Sequence, residues 1–231
     1  MREGPPRRPE PAPEPPAGPP VPSAFPPVVL TLIAINVAIF LLQPGHIGSA
    51  VYQLFALWPL EPPVSVNVPY PTSSFQPWQL LTYGFLHGGT FHLFVNMFAL
   101  WMFGTPLEHT WGSRRFLFFF LFCVAGAGLI QLFVASQAAV GGAIYPTVGA
   151  SGGVFGILLG FGMLFPNNRI MLLIPPIPMK AKYFVIGYGA FELLAGVTGT
   201  IGGIAHFAHL GGMLFGFILI QYWRRGFPFR R

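Results

Sequence analysis

The 231-residue chain contains no aspartate and a single cysteine, and only 8% of its residues are charged. The lone Cys123 excludes an intrachain disulfide and a cysteine-based zinc site. The missing aspartate excludes chemistry that needs an aspartate pair. It also means that a serine and histidine site must work without a third acidic residue or use a glutamate. The zinc-protease motif HExxH is also absent. We therefore expect neither a metal nor a cofactor.

Apolar residues dominate what is present. They form 53% of the chain, and the charged fraction of 8% is far below the roughly 25% of an ordinary soluble domain. This balance indicates a polytopic membrane protein, because a crossing needs roughly 20 apolar residues and the length allows about five to seven crossings. Six apolar segments are present, at 27–42, 85–104, 116–135, 151–165, 183–197 and 204–223. The predicted fold class is an all-α membrane protein, a bundle of six transmembrane helices.

Three regions are predicted along the chain. Residues 1–25 hold ten prolines and almost nothing that forms a core, which predicts a disordered Pro-rich cytoplasmic tail. Residues 26–225 form the six-span domain, whose long, aromatic first outer loop at 44–77 is expected to rest at the membrane interface. Residues 226–231 form a short basic cytoplasmic tail. As an alternative, segment 27–42 is the core of a signal peptide that is cleaved near residues 48–50.

The lysines and arginines support the six-span arrangement. All twelve precede the first segment, separate the second from the third or the fourth from the fifth, or follow the sixth. Only an even number of spans with both termini in the cytoplasm puts every positive charge on one side, as the positive-inside rule requires. The net charge of +6 is dispersed rather than gathered on one face, so the lipid bilayer is an expected partner and nucleic acid is not.

Polar residues inside apolar segments are candidates for function, because each costs roughly 3 kcal/mol or more in hydrocarbon. The candidates are His87, His92, Asn96, Ser151, Glu192, His206 and His209. Ser151 opens the fourth segment within the sequence GASGG. At a helix N-terminus its hydroxyl lies among unpaired backbone N–H groups, which stabilise an oxyanion. The alternative is that the serine and the glycines only permit close helix packing.

Helix geometry places several of these groups at nearly one depth. With a rise of about 1.5 Å per residue, Ser151 and His209 are expected about 8–10 Å below the outer surface. His92 is expected at about 12 Å, with Asn96 one turn deeper on the same helix face. Water must reach this depth, so we expect a cavity that opens to the outer, extracytoplasmic side.

Small residues predict that the fourth and sixth segments approach closely. They recur at four-residue steps, which permits tight backbone contact, and include Gly152, Gly156, Gly212 and Gly216. On an ideal helix His209 projects toward this line of glycines, whereas His206 projects about 80° away from it and lies a turn nearer the outer mouth. His209 is therefore the expected partner of Ser151, and His206 is expected to be exposed to water.

Five motifs lie in order along the chain after the Pro-rich tail. They are Trp78 before His87, His92-x-x-x-Asn96, Leu107-Glu108, Gly149-x-Ser151-Gly152 and Ala208-His209-x-x-Gly212. In this order and on these segments they resemble the rhomboid family of intramembrane serine proteases. One departure is visible at Trp78-Gln79, because many rhomboids carry Trp-Arg there.

The resemblance implies a serine endopeptidase that cleaves transmembrane segments of membrane-protein substrates with a Ser-His dyad and without a metal. It implies that Ser151 is the nucleophile and that His209 is the general base. It further implies an oxyanion hole formed by His92, Asn96 and the backbone N–H of Ser151. Such a protein is a multi-pass integral membrane protein.

Three other functions remain alternatives. GASGG also fits the nucleophile elbow of a soluble α/β-hydrolase, with Glu192 between the serine and the histidine, but six apolar segments leave no room for the parallel sheet. A transporter could use Glu192 and the histidines as a proton relay, although no inverted repeat is visible. A non-catalytic relative would only bind membrane helices. Glu192 itself is expected near mid-membrane, protonated or hydrogen-bonded to a neighbouring span, in a structural role or, alternatively, in substrate gating.

Overall fold

The computed structural model describes residues 25–43, 49–61, 69, 71–171, 176–199 and 205–225. The predicted N-terminal tail, apart from Phe25, and the predicted tail at 226–231 therefore lie outside the described residues. The limits of the three predicted regions stay predictions.

The described part of the chain is mostly helical. Its helices are α1 (Pro27–Leu42), α2 (Ala50–Phe55), α3 (Gln79–Thr82), α4 (Thr90–Ala99), α5 (Thr105–Trp111), α6 (Ser113–Val140), α7 (Ser151–Leu164), α8 (Ala181–Thr198) and α9 (His206–Arg224). A 3₁₀ turn at Tyr83–Phe85 precedes α4, and wider π-type turns at Leu100–Gly104 join α4 to α5. Each of the six apolar segments contains a helix, and the second continues through α5 beyond its expected end.

Among the described helices, α6 is the one that is long and apolar enough to cross a bilayer by itself. The helices α1 and α7 are apolar but shorter, with 16 and 14 residues. Large apolar side chains are exposed on the surfaces of three helices, as at Leu41 on α1, Phe133 on α6 and Ile186 on α8. An apolar surface of this kind is what surrounding lipid would cover.

Pro106 accounts for the wide turns between α4 and α5. Proline lacks an N–H and its ring clashes with the carbonyl of the preceding turn, so a regular helix cannot continue through it. The backbone widens over Leu100–Gly104 and resumes an α-helical path at Thr105. The Thr105 hydroxyl donates to the Trp101 carbonyl at 2.7 Å, which satisfies one acceptor in the widened turn.

A small two-stranded sheet lies between α7 and α8, which the all-α prediction does not include. Strand β1 (Arg169–Met171) pairs antiparallel with β2 (Pro178–Lys180), and Ile170 lies opposite Met179. Pro178 is the first residue of its strand, a position that tolerates the missing N–H. Residues 172–175 between the strands lie outside the described part of the chain.

The helix α7 is buried between α6 and α9, and its glycines allow this. A Cβ at Gly153 would stand 2.5 Å from the Phe120 ring of α6, and one at Gly156 would stand 2.7 Å from Cys123 Cβ. Any larger side chain on this face of α7 would push the helices apart. The buried Cys123 therefore has a packing role against α7.

Glu108 ties α5 to the start of α1. Its two carboxylate oxygens accept the N–H groups of Val28 and Val29 at 2.9 and 2.8 Å. Pro27 opens α1 without an N–H, so these are the first amides at the helix N-terminus, where a negative charge is stabilising. The Ser113 hydroxyl donates to the same carboxylate at 2.6 Å. Glu108 thus acts as a cap for α1 supplied by a distant part of the chain.

The loop between α2 and α4 is fastened by hydrogen bonds between neutral groups. Leu57 and Thr147 form an antiparallel bridge, which holds the loop against the segment before α7. Gln79, which stands where the resemblance described above implies arginine, is fully buried. Its Oε1 accepts a hydrogen bond from the backbone N–H of Trp58 at 3.3 Å, and its Nε2 donates to the Leu54 carbonyl at 3.3 Å. An uncharged amide therefore anchors the loop backbone at this position.

Candidate active site

Ser151 is the first residue of α7 and follows a backbone turn that needs glycine. Gly149 has a φ of 133°, a conformation that residues with a side chain rarely adopt, and its N–H donates to the Tyr83 carbonyl at 2.9 Å. The helix is opened by the bond from the Val154 N–H to the Ala150 carbonyl at 3.0 Å, so the amides of residues 151–153 have no partner within α7. The positive end of the helix dipole therefore lies at Ser151.

His209 on α9 contacts this serine. Its Nε2 lies 2.8 Å from Ser151 Oγ, which is within the reach that a general base needs. His209 is buried, with 8% of its surface exposed, while Ser151 keeps intermediate exposure. Ser151 is therefore more accessible than His209.

Close contact between α7 and α9 sets this distance. A Cβ at Gly212 would overlap the Gly152 carbonyl, and one at Gly216 would stand 3.4 Å from the Gly156 Cα. Small residues permit such backbone approach between membrane helices. His209 lies about one turn before Gly212, so the contact brings its side chain to the first turn of α7.

The plane of the His209 ring is fixed by Phe155. The two rings are stacked, with centroids 4.1 Å apart and planes within 5° of each other. Phe155 lies four residues after Ser151 and therefore on the same face of α7. Stacking covers one face of the imidazole and leaves its edge, which carries both nitrogens, available for hydrogen bonds.

Glu192 on α8 contacts two histidines of α9. Its Oε2 lies 2.9 Å from His209 Nδ1 and 2.6 Å from His206 Nδ1, and the residue is 2% exposed. Of the two states expected for this carboxyl, the structure has the hydrogen-bonded one, with partners on a neighbouring helix. The expectation that His206 is exposed to water is wrong, because it is 4% exposed and bonded to Glu192.

His92 on α4 approaches the serine across Gly149. A Cβ at Gly149 would stand 2.9 Å from His92 Nε2 and 3.6 Å from Ser151 Oγ. The absent side chain thus leaves room for the imidazole beside the hydroxyl. His87, which is fully buried, packs edge-on against His92 with ring centroids 5.1 Å apart. These contacts place one nitrogen-bearing edge of His92 next to the α7 N-terminus.

Asn96, one turn later on α4, makes a bond within its own helix. Its Nδ2 donates to the His92 carbonyl at 2.9 Å, and the side chain is buried. This bond uses one of the two N–H groups of the amide. A role at an oxyanion would depend on the second N–H. The structure therefore brings His92 and His209 to Ser151, whereas for Asn96 it records a bond to the backbone of α4.

The cluster of Glu192, His206 and His209 also has donor types that zinc binds. One ligand atom from each residue lies within 4.8 Å of the others. Hydrogen bonds explain the same geometry, because a carboxylate oxygen can accept an N–H from each imidazole. The contacts between these three side chains therefore need no ion.

Sequence reasoning missed the contacts of Phe155 and Glu192 with His209. For Phe155 a signal existed, because a four-residue spacing from Ser151 places both on one helix face. Glu192 is the one acidic residue after Glu108 in the sequence, so it was the only carboxylate there that could act as a third catalytic residue. Its contact with α9 depends on how two helices pack, which has no local signal.

Comparison with known proteins identifies relatives along most of the chain. The family model described as the Rhomboid domain matches residues 74–225. Rhomboid protein 1, mitochondrial, of Saccharomyces cerevisiae is 32% identical over 199 residues, which cover 84% of this chain and 53% of that protein. Rhomboid protease GluP of Bacillus subtilis is 35% identical over 144 residues, which cover 61% of this chain and 25% of that protein. Presenilin-associated rhomboid-like protein, mitochondrial, of Bos taurus is 30% identical over 196 residues, which cover 77% of this chain and 47% of that protein.

The chain spans about half or less of the length of these relatives. The matched region 74–225 nevertheless includes α4, α7 and α9, which carry His92, Ser151 and His209. The resemblance seen in the motifs is thereby confirmed. The chain belongs to the rhomboid family of integral membrane proteins.

Proposed function

We propose that this protein is an intramembrane serine endopeptidase that cleaves transmembrane segments of other membrane proteins. Ser151 is the nucleophile and His209 is the general base. The observation that carries the proposal is the distance of 2.8 Å between Ser151 Oγ and His209 Nε2, at the N-terminus of a buried helix. The name of the Bacillus subtilis relative, a rhomboid protease, agrees with this activity.

The first half of the reaction forms an acyl-enzyme. Ser151 Oγ attacks the carbonyl carbon of the scissile peptide while its proton moves to His209 Nε2. The new O–C bond converts the carbonyl oxygen to an oxyanion. When this tetrahedral intermediate collapses, the C–N bond breaks, and the proton on Nε2 goes to the departing amine.

The oxyanion needs donors that are already in place. The Ser151 backbone N–H lies at the α7 N-terminus without a partner in the helix, and it supplies the first. His92, whose Nε2 edge borders Gly149, and the second N–H of Asn96 supply the others. Fixed donors are more effective here than water because they need no reorganisation as the charge develops.

Water completes the second half. It attacks the acyl carbon while His209 Nε2 takes its proton, and the Ser151 ester bond then breaks as the proton returns to Oγ. The sum of both halves is one peptide bond and one water converted to a carboxyl group and an amine. No metal or cofactor takes part in these steps.

The proposed arrangement has six spans, with both termini cytoplasmic and the site opening to the extracytoplasmic side. Contacts at one end of the helices support it. Arg224 donates to the Met163 carbonyl at 3.3 Å, and the rings of Trp111 and Trp223 lie 5.5 Å apart, so the ends of α5, α7 and α9 are neighbours. The described basic residues lie at or near these ends, at Arg114, Arg115, Arg169, Lys180, Lys182, Arg224 and Arg225.

Covalent labelling tests the proposed nucleophile. A serine-directed fluorophosphonate should modify the purified protein in detergent on Ser151, as located by peptide mass spectrometry, and should not modify the Ser151→Ala variant. Ser113, whose hydroxyl bonds to Glu108 and not to a histidine, provides the matched control: Ser113→Ala should label like the wild type. Equal labelling of the wild type and Ser151→Ala would refute the assignment.

A further inference from the structure

We propose that Glu192 is a positioning residue for the His209 base, so that the site works as a Ser151, His209 and Glu192 triad and not as a dyad. This inference rests on the proposed function, and it adds a third side chain to the reaction. The residue lies on α8, a helix that supplies neither the nucleophile nor the base.

The two nitrogens of His209 have different partners. Nε2 lies 2.8 Å from Ser151 Oγ, and Nδ1 lies 2.9 Å from Glu192 Oε2. An ionised carboxylate can only accept hydrogen bonds, so Nδ1 must carry the proton in this contact. A neutral imidazole with a proton on Nδ1 has its lone pair on Nε2, facing the serine. Glu192 thus selects the tautomer that can remove the serine proton.

His206 holds the carboxylate from a second direction. Its Nδ1 lies 2.6 Å from Oε2, the same oxygen that His209 contacts. The two histidines are three residues apart and lie on neighbouring positions of one face of α9. A carboxylate with two N–H donors on one oxygen has little freedom to rotate. The orientation of Glu192 is therefore fixed before a substrate binds.

Burial makes the negative charge effective. Glu192 is 2% exposed, and within the described part of the chain its ion-pair partners are the two imidazoles. When His209 takes the serine proton it becomes a cation directly beside this carboxylate. Opposite charges in contact attract far more strongly in a poorly solvated interior than in water. The carboxylate therefore stabilises the state formed during the reaction more than the resting state.

Phe155 and Glu192 constrain different properties of the same ring. Phe155 stacks on the face of His209 and fixes its plane, whereas Glu192 bonds to its edge and fixes its proton. Removing only the charge of Glu192 should therefore leave the ring in place. The effect should fall on the chemical step and not on substrate binding.

The test uses the full chain in liposomes with a single-span reporter, and rates are divided by the amount of protein that fluorophosphonate finally labels. Glu192→Gln should lower kcat by about 100-fold or more and change KM by less than about threefold, because loss of the third acid costs about 10⁴-fold in related triads. Glu192→Asp, which keeps the charge, should have a kcat at least about tenfold higher than that of Glu192→Gln. Division by labelled serine removes any misfolded fraction from the comparison.

Glu108→Gln is the matched control, since Glu108 is the other buried carboxylate among the described residues and caps α1 away from His209. It should lower Tm and leave kcat per labelled serine unchanged. A Glu192→Gln variant with kcat within about threefold of the wild type overturns the triad and leaves the proposed protease intact. So does a Glu192→Asp variant that is no better than Glu192→Gln. Wild-type protein that neither labels nor cleaves overturns both proposals.

Discussion

Gly212 of α9 lies directly against the carbonyl of Gly152 in α7, and a Cβ at position 212 would stand 2.7 Å from that carbonyl carbon. Both atoms in this contact belong to backbones, so neither helix can yield by a side-chain rotation. The contact lies within about one turn of both Ser151 and His209. Helix packing and the distance between nucleophile and base are therefore coupled.

A larger side chain at Gly212 should inactivate the protein without touching a catalytic group. Gly212→Val should force α7 and α9 apart, and His209 Nε2 should then leave the range of about 2.6–3.2 Å that proton transfer needs. We expect reporter cleavage and fluorophosphonate labelling to fall together, by about 100-fold or more.

Gly187 provides the control for this substitution. It lies on α8, and a Cβ there would have no neighbour within 4 Å. Gly187→Ala should therefore retain full activity. If Gly212→Val also remained fully active, the helix contact would not set the geometry of the site.

His209 and His206 should differ sharply in their effect on activity. His209→Ala removes the base and should lower kcat by about 10⁴-fold or more, since a serine without its base is a weak nucleophile. His206→Ala should keep most of the activity, because Glu192 still bonds to His209. Rates of reporter cleavage and of Ser151 labelling measure both effects. An inactive His206 variant beside an active His209 variant would require reassignment of the base.

The two side-chain donors proposed for the oxyanion hole should act on the transition state. His92→Ala and Asn96→Ala should each lower kcat by about 100-fold with little change in KM, since one lost donor costs about 2.7–4 kcal/mol in comparable sites. Asn96→Ala also removes a bond to the α4 backbone, so Tm should be measured beside kcat. Full activity of a variant that lacks both side chains would remove them from the site.

Topology can be tested by cysteine labelling, because the native Cys123 is buried and should not react. Phe55 and Asn168 are exposed, and the proposed topology puts them on opposite sides of the membrane. Phe55→Cys should react with a membrane-impermeant maleimide added from outside intact cells, and Asn168→Cys should react only after the cells are opened. The reverse pattern would contradict the proposed orientation.

The elements that could be predicted from the sequence are those with a local signal. The first segment, 27–42, coincides with α1, because its apolar run ends where Gln43 leaves the helix. The serine at the start of α7 and the glycines facing α9 follow from residue type and four-residue spacing. The end of the second segment, 85–104, could not be predicted in this way. Pro106 interrupts a regular helix, yet the chain continues as a helix through α5.

The contacts that could not be predicted join distant elements. Glu108 caps α1 across 79 residues, and Glu192 reaches two histidines of another helix. No spacing rule gives the rotation of α8 relative to α9. His206 was predicted to be exposed for this reason. The prediction used its depth along α9 and did not include its contact with Glu192 on α8.

Cleavage of a reporter is the measurement that tests the central claim most directly. Wild-type protein and Ser151→Ala, reconstituted in liposomes, are incubated with a reporter that has one transmembrane segment, and the products are located by mass spectrometry. The account predicts one cut within or at the border of that segment by the wild type, and none by Ser151→Ala. Equal cleavage by both proteins, or intact reporter with both under conditions in which Ser151 is labelled, would contradict it.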